Sequence, residues 1–414
     1  MSLAQSASFT NTSNPLRSTR LPSDAYVLSL AALPSRYAAS ASAPSNEIYL
    51  FDSHSLRPAQ SLYGHEGGTT SLRAVDAIVG TNQRSLVSSG KDGTIKVWDD
   101  RAGSVAVQMR LAGRPRALLC ADVSPDGMTV AAGTGMQSDE ALILYWDPRN
   151  PVAPLRTHAS THSDDITALH FLRQSSSSST SSPALSHQRT LLSASSDGLI
   201  SISNADEEDE DEAVIQVSNW GCSISQVGWF HQNRGRSRCV WAASDMETVS
   251  TWTHELDQRQ DLDIRSPSVH TAQNTWVTDY LVGCHMSDSS GLGVFVGSNE
   301  GDIALIRNAD YEDREASWAL ERIWSTGHSG VVRSMLWDER HNVLLSGGED
   351  AQIHLWSAPA IPAGSSSGDD IKMEGEEDGG MGSLSPSGRK RVYDHEGDVE
   401  MGDVGNDPKK LKRG

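Results

Sequence analysis

The sequence has few cysteines, no long hydrophobic run and a shortage of positive charge. Its four cysteines are far apart and form no CxxC pair, so we expect reduced thiols rather than a disulfide framework. No apolar stretch approaches the length needed to cross a bilayer, and the N-terminal residues lack the apolar core of a signal peptide. We therefore expect an intracellular protein without membrane contact.

The charge balance narrows the range of partners. The chain has 34 Lys and Arg residues against 54 Asp and Glu residues, which gives a formal net charge of −20. Non-specific nucleic-acid binding depends on basic side chains that neutralise phosphates, so this balance argues against direct nucleic-acid binding. An excess of acidic groups instead favours basic protein partners.

Two segments of the chain repeat the same order of residues. The first begins at Gly64-His65 and ends LVSSGKDGTIKVWDD, and the second begins at Gly327-His328 and ends LLSGGEDAQIHLW. In each segment an Asp stands six residues before a Trp, and a Ser stands ten residues before it. The matching residues are His65, Ser88, Asp92 and Trp98 in the first segment and His328, Ser346, Asp350 and Trp356 in the second.

This pattern resembles the WD-repeat family, whose repeats form four-stranded antiparallel blades arranged radially. The resemblance implies that the His, Ser, Asp and Trp of each segment form a hydrogen-bonded relay within a blade. A His–Asp–Ser set also looks like a hydrolase triad, but its recurrence at equivalent positions favours a structural role. Five weaker copies, with Ser203 and Ile306 at the Trp position of two of them, lie near residues 26–63, 116–158, 165–218, 223–258 and 277–326.

These repeats predict an all-β fold, a seven-bladed WD-repeat β-propeller with a disordered C-terminal tail. We assign residues 23–360 to the propeller. The last blade has only three strands before the sequence becomes low in complexity at Pro362, and an open ring would expose sheet edges. Residues 1–22 are therefore expected to supply the ring-closing strand, from within residues 6–21. Residues 361–414 are rich in Gly, Ser, Asp and Glu, a composition that predicts disorder.

Two polar insertions interrupt the fourth blade. One is QSSSSSTSSP at residues 174–183, and the other is a run of seven acids between the third and fourth strands. The acids are Asp206, Glu207, Glu208, Asp209, Glu210, Asp211 and Glu212. Both connections leave an antiparallel blade on the same side, so the insertions should share one rim. The run is either a solvated loop or a binding surface for a basic segment such as a histone tail.

Basic clusters stand out in the acidic tail. They resemble nuclear import signals, and predict a nuclear protein, with a share in the cytoplasm left open. The basic residues are Arg389, Lys390, Arg391, Lys409, Lys410, Lys412 and Arg413.

Longer segments, among them AAGTGMQSDEALILYWDPR, resemble the family of WD repeat-containing protein 89. That resemblance implies a seven-bladed intracellular propeller and supplies no reaction. Two blades end in Trp-Asp-x-Arg, at Arg101 and Arg149. This pattern resembles the motif by which propellers dock, as substrate receptors, on an adaptor of cullin-RING ubiquitin ligases. The guanidinium fork can pair with a partner acid, or locally with Asp99 or Asp147.

Catalytic motifs are missing from the sequence. There is no GxSxG elbow, P-loop, HExxH motif or spaced Cys/His ligand set, so we predict no catalytic residue, metal site or cofactor. The cluster His162-Ser163-Asp164-Asp165 lies where other blades carry Gly-His, which favours a structural role. The predicted function is a non-catalytic scaffold or adaptor for other proteins, monomeric outside its complexes. The alternatives are a cullin-RING substrate receptor and, third, an enzyme.

Overall fold

The chain is described as a computed structural model, in which β-strands form a ring of blades. The described residues are 3–79, 84–99, 101–111, 113, 115–173, 189–232, 237–270, 275–287, 290–308, 310–311, 313–314 and 316–359. The Ser-rich insertion at 174–183 and the tail at 361–414, including its basic clusters, lie outside these ranges.

Two strands precede the first blade, and the first three blades follow in chain order. The leading strands are β1 (Ala4–Thr12) and β2 (Arg17–Arg20). Blade one contains β3 (Val27–Ala32), β4 (Arg36–Ala41), β5 (Ile48–Asp52) and β6 (Pro58–Leu62). Blade two contains β7 (Thr69–Val75), β8 (Ser85–Gly90), β9 (Thr94–Asp99) and β10 (Ser104–Arg110). Blade three contains β11 (Leu118–Val123), β12 (Val130–Thr134), β13 (Ile143–Trp146) and β14 (Arg156–His158).

The remaining four blades complete the ring. Blade four contains β15 (Ile166–Phe171), β16 (Thr190–Ser195), β17 (Leu199–Asn204), the one-turn helix α1 (Glu210–Ala213) and β18 (Val214–Asn219). Blade five contains β19 (Ile224–Gln232), β20 (Ser237–Ser244), β21 (Thr248–Thr253) and β22 (Gln258–Asp263), followed by a hairpin of β23 (Ser268–His270) and β24 (Thr275–Val277). Blade six contains β25 (Tyr280–Ser287), β26 (Gly291–Gly297), β27 (Ile303–Asn308) and β28 (Trp318–Trp324). Blade seven contains β29 (Val332–Asp338), β30 (Val343–Gly348) and β31 (Gln352–Ser357).

The described chain is therefore a seven-bladed β-propeller, which confirms the predicted fold class. In these ranges no helix is long and apolar enough to cross a membrane.

The hydrophobic core lies between neighbouring blades because alternate residues of a strand face opposite sides of the sheet. On β9, Ile95 and Val97 pack in a cluster with apolar residues of blade three. Trp98, the next residue, packs in a cluster with apolar residues of blade one, including Leu50. Burial of a side chain of this size contributes about 1.5–3 kcal/mol. Each blade thus buries apolar residues against both neighbouring blades, and blade one does so against blade seven.

Strand β2 provides the outer strand of blade seven. It pairs antiparallel with β31, with Ser18 opposite His354 and Thr19 opposite Ile353. Just after β2, the amide of Leu21 donates to the carbonyl of Ala351 at 2.9 Å, and the Leu21 side chain is 3% exposed. Leu21 belongs to the apolar cluster shared by blades one and seven. The N-terminal segment therefore joins the two ends of the ring.

Strand β1 adds a fifth strand to blade six, which the sequence did not predict. It pairs in parallel with β28, and its register shifts between Gln5 and Thr10. Leu3, just before β1, is buried in the core of blades five and six. Phe9, within β1, is partly buried and packs against the same core. Most of its other side chains are exposed. A parallel strand with so few apolar anchors gives no alternating pattern by which the sequence could reveal it.

We expect removal of residues 1–22 to destabilise the propeller far more than removal of residues 1–13. The longer deletion takes away β2 and the buried Leu21, at a cost of about 5–8 kcal/mol from lost burial and ladder hydrogen bonds. The shorter deletion removes β1 and leaves the ring closed. Thermal and urea unfolding of the full chain and both deletions measures this. An unchanged melting temperature after removal of residues 1–22 would contradict ring closure by β2.

Candidate functional site

The relay of blade two lies inside the blade. His65 precedes β7, Ser88 lies on β8 and Trp98 lies on β9, and each of the three side chains is at most 3% exposed. Trp98 Nε1 is 2.8 Å from Ser88 Oγ, and His65 Nε2 is 2.7 Å from the same oxygen. On the other side of its imidazole, His65 Nδ1 is 2.9 Å from Asp92 Oδ1.

The donors along this relay run in one direction. The indole N–H of Trp98 can only donate, so Ser88 Oγ accepts it. The Ser88 hydroxyl then donates to His65 Nε2, and the Nδ1–H of His65 donates to Asp92. Burial raises the pKa of Asp92, but hydrogen bonds from His65 and Thr94 outweigh burial and leave that pKa below its usual value. With Ser88 enclosed and every relay donor used, the arrangement stabilises the blade and offers no nucleophile to a substrate.

A glycine makes room for this histidine. A Cβ atom on Gly90 would lie 2.3 Å from Cγ of His65, so no larger residue fits at the end of β8. Gly93, in the turn that follows Asp92, has a φ of +71°, a conformation that favours glycine. The repeat pattern alone does not indicate this steric role of Gly90.

Blade seven repeats the relay with different neighbouring residues. Trp356 Nε1 and His328 Nε2 both lie 2.8 Å from Ser346 Oγ, and His328 Nδ1 lies 3.1 Å from Asp350 Oδ1. Burial raises the pKa of Asp350, but hydrogen bonds led by that of His328 outweigh burial and hold it well below its usual range. Where β9 carries Lys96, two residues before the Trp, β31 carries His354.

The other blades keep only parts of the relay. In blade four, His162 Nε2 lies 2.7 Å from Ser193 Oγ, and Ser203 stands opposite Leu191, in the position that Trp98 occupies opposite Leu86 in blade two. His162 and Ser193 are buried.

Blade five shows what the missing serine does. Trp252 is buried, but its Nε1 has no hydrogen-bond partner. Ala242 occupies the place of the relay serine, since it pairs with Ser250 on β21 as Ser88 pairs with Lys96 on β9. Blade three follows the same rule: Ala132 takes the serine position, and Nε1 of Trp146 is buried without a partner.

The two Trp-Asp-x-Arg arginines pair with their own aspartates. Arg149 donates from Nε and NH2 to both carboxylate oxygens of Asp147, with the shortest contact at 2.7 Å. Arg101 lies more loosely, with Nε 3.9 Å from Asp99 Oδ1 and its side chain 72% exposed. Both follow the third strand of their blade, on the side of the ring where the connection between the third and fourth strands leaves.

The acidic run of blade four is held in place at its start by Arg189. This side chain donates from Nε and NH2 to Asp126, at 3.0 and 2.7 Å, and from NH1 to Asp206. The backbone N–H of Arg189 also donates to Asp206 at 3.0 Å. Burial raises the pKa of Asp126, but the hydrogen bond from Arg189 and those from its own turn bring it down to about 2. Arg189 thus joins the first turn of blade three to the acidic run.

Glu210 is the second residue that fixes the acidic run to the rest of the propeller. Its carboxylate accepts hydrogen bonds from three successive backbone amides, those of Ala159, Ser160 and Thr161, at 2.7–2.8 Å. The Thr161 hydroxyl adds a fourth at 2.6 Å. Burial raises the pKa of Glu210, but these donors outweigh it and leave the pKa below its usual value. The side chain therefore ties blade four to the connection between blades three and four.

The remaining acids of the run are directed outward. Glu208, Asp209, Asp211 and Glu212 are exposed, and Glu207 is half-buried. Asp209 caps α1 by accepting from the amide of Asp211. Among the described residues, Glu208, Asp211 and Glu212 have no ion pair with a basic side chain. The run thus combines two fixed points with an exposed negative surface, which we call the acidic surface and define as Glu208, Asp209, Asp211 and Glu212.

Comparisons with known proteins agree with this geometry. The model of the family "WD domain, G-beta repeat" matches residues 56–99 and 320–357, the two segments that carry a complete relay. The chain is 22% identical over 335 residues to the WD repeat-containing protein 89 homolog of Dictyostelium discoideum, covering 80% of this chain and 82% of that protein. An uncharacterised WD repeat-containing protein of Saccharomyces cerevisiae is 26% identical, covering 75% of this chain and 73% of that protein. One of Schizosaccharomyces pombe is 22% identical, covering 68% of this chain and 82% of that protein.

We expect Trp98→Phe to destabilise the chain more than Trp252→Phe does. Both tryptophans are 3% exposed, so the two substitutions remove similar buried apolar surface. Only Trp98 donates a hydrogen bond, and its loss deprives Ser88 of a donor, whereas the N–H of Trp252 has no partner to lose. The difference in unfolding free energy should be about 1–2 kcal/mol. Urea titrations of the two variants measure it, and equal losses would contradict an energetic role for the relay.

Proposed function

We propose that this chain, which belongs to the WD-repeat family, is a non-catalytic scaffold whose acidic surface binds a basic segment of a partner protein. WD-repeat proteins generally act as protein-interaction scaffolds. The observation that carries the finer proposal is the fixation of the acidic run by Arg189 and Glu210. It holds four exposed carboxylates of blade four in one arrangement.

Fixation matters because binding to a flexible loop costs conformational entropy. A surface that is already ordered keeps more of its interaction energy for the partner. The acidic surface also lies on a chain whose net charge is −20, so its long-range field attracts basic groups and repels acidic ones. Lysine- and arginine-rich segments, such as a histone tail, have the matching charge and the extended form needed to follow a loop.

The geometry also supports a non-catalytic role. The Ser and His side chains that resemble a hydrolase triad are buried in blades two and seven, where the serine accepts from a tryptophan. His162, from the further sequence cluster His162-Ser163-Asp164-Asp165, is also buried and bonded to Ser193. Catalysis needs a nucleophile within reach of a substrate, and none of these hydroxyls offers that.

Docking on a cullin-RING ligase adaptor is less well supported than the acidic surface. The fork of Arg149 is already occupied by Asp147, so binding to a partner acid would first have to break a bidentate pair. Arg101 is exposed and more loosely paired, which leaves a single available arginine. We therefore place the ligase-receptor hypothesis second.

Removing charge from the acidic surface should weaken binding of a basic peptide. The variant Glu208→Gln/Asp211→Asn/Glu212→Gln neutralises three exposed acids and leaves the fixed Asp206 and Glu210 intact. At about 0.3–1 kcal/mol for each exposed charge pair, loss of three pairs should lower the affinity for a histone-tail peptide roughly 5- to 150-fold at low salt. Fluorescence anisotropy at low and at 0.5 M salt measures this, and the difference between the proteins should shrink in high salt.

A matched control separates the acidic surface from the overall charge. The variant Glu66→Gln/Asp257→Asn/Glu300→Gln also removes three exposed acids, from blades other than blade four. It should bind the peptide almost as well as the unchanged chain. Equal weakening by both variants would mean that net charge alone attracts the peptide, and the proposal would be wrong.

We further propose that the basic clusters of the tail direct the scaffold to the nucleus. This proposal depends on the sequence of residues 389–413, which lie outside the described ranges. Residues 385–414 fused to a cytoplasmic reporter should carry it into the nucleus. Alanine at Arg389, Lys390 and Arg391 and at the four basic residues of 409–413 should leave the reporter in the cytoplasm. A native fusion that stays cytoplasmic would refute the proposal.

A further inference from the structure

Blades two and seven carry the same relay, yet they differ at the position two residues before the Trp. In blade two this residue is Lys96, whose Nζ donates to the carbonyl of Gly64, lies 4.0 Å from Asp92 Oδ2 and stands over the Trp98 ring. In blade seven it is His354, which is 3% exposed. An imidazole in place of an ammonium changes what the site can bind, because an ammonium excludes a cation and an imidazole can hold one.

The two histidines of blade seven are each fixed by a serine. His328 uses Nε2 toward Ser346 Oγ at 2.8 Å, and His354 uses Nδ1 toward Ser18 Oγ at 2.7 Å. The two rings are edge to face, with centroids 4.3 Å apart. In metal-binding histidines the second ring nitrogen is commonly fixed by a hydrogen bond to a carboxylate, a backbone carbonyl or water, and a serine hydroxyl can orient the imidazole in the same manner.

The remaining nitrogens are close to one carboxylate. His328 Nδ1 lies 3.1 and 3.2 Å from the two oxygens of Asp350, and His354 Nε2 is buried without a hydrogen-bond partner. One ligand atom from each of His328, Asp350 and His354 lies within 4.8 Å of the others. A buried imidazole nitrogen without a partner is costly, and a bound cation would satisfy it.

We propose that His328, Asp350 and His354 form a binding site for a divalent transition-metal ion, with Zn²⁺ as the ion that fits its donors best. Two imidazoles and one carboxylate are a common zinc ligand set, with metal–ligand distances of about 2.0–2.2 Å. In a tetrahedral site such distances separate neighbouring ligand atoms by roughly 3.3–3.5 Å. The separation between His328 Nδ1 and Asp350 is already close to this value, so the main adjustment falls on His354.

Binding requires one proton to move. In the metal-free relay the Nδ1–H of His328 donates to Asp350. When Nδ1 binds the ion, the proton is carried on Nε2 instead and is donated to Ser346 Oγ, so the imidazole stays neutral. The Ser346 hydroxyl hydrogen, which had pointed at Nε2, rotates away, and Oγ accepts from both His328 and Trp356. His354 keeps its Nδ1–H toward Ser18 and binds through Nε2. The carboxylate of Asp350 supplies the one negative charge.

The site lies where the ring closes. Ser18 belongs to β2, the N-terminal strand, whereas the three ligands come from blade seven. A metal ion bound to His354 would fix the imidazole that Ser18 contacts. It would thereby favour the pairing of β2 with β31. The site therefore has a structural use that is independent of the acidic surface on blade four.

The test compares the full chain with His354→Lys, which gives blade seven the residue that blade two carries. The unchanged protein should bind one zinc ion per chain, show the visible absorption of tetrahedral Co²⁺ when cobalt replaces zinc, and melt several degrees higher with zinc. His354→Lys should fold, because Lys96 fits the equivalent position, but should show no cobalt spectrum and no shift in melting temperature. Equal zinc content in both proteins would assign the metal to exposed histidines and overturn the proposal.

Ser18→Ala tests the orienting contact. It leaves all three ligands in place and removes the hydroxyl that fixes His354, so zinc affinity should fall about 10- to 100-fold while the cobalt spectrum keeps its shape at saturation. Competition with a chromophoric chelator measures the affinity. If the unchanged protein fails to bind zinc at all, the site is a metal-free relay and the proposal is wrong.

Discussion

The pairing of β2 with β31 is the contact on which the rest of the ring depends. Without it, blade seven has three strands, an open edge and no cover for the cluster it shares with blade one. Each blade buries its apolar residues against two neighbours, so a gap at one interface would weaken the others in turn. Leu21 and Ser18 come from the start of the chain, while Ile353 and His354 come from near the end of the ring. Closure therefore joins residues that are far apart in the sequence, such as Ser18 and His354, which are 336 positions apart.

Much of this architecture could be predicted from the sequence because the relay uses residues at fixed short spacings. Ser88, Asp92 and Trp98 lie on two adjacent strands and the turn between them, so their order in the sequence fixes their order in space. The alternation of Ile95, Val97 and Trp98 is equally local. The degenerate blades keep a recognisable strand pattern even where Ser203 or Ile306 replaces the Trp, because apolar packing requires only the alternation of apolar and polar residues.

Contacts between distant segments could not be predicted in the same way. Seven consecutive acids give no indication that Glu210 turns toward the amides of Ala159, Ser160 and Thr161, about fifty residues earlier. These donors are backbone N–H groups, so the identities of residues 159–161 do not indicate the contact. The same holds for His354, whose neighbours Ser18 and Asp350 meet only after the ring closes. The proposed acidic binding surface and the proposed metal site thus both depend on side-chain contacts that form only in the tertiary structure.

Hydrogen exchange of the full chain, with and without a basic histone-tail peptide, tests most directly whether the acidic surface is an ordered binding platform. In the free protein, the amides of Ala159, Ser160 and Thr161 should already be protected, because Glu210 accepts all three. The peptide should add protection at residues 206–219 and leave blades one, two, five and six unchanged. Rapid exchange of those three amides in the free protein, or added protection confined to other blades, would contradict the account.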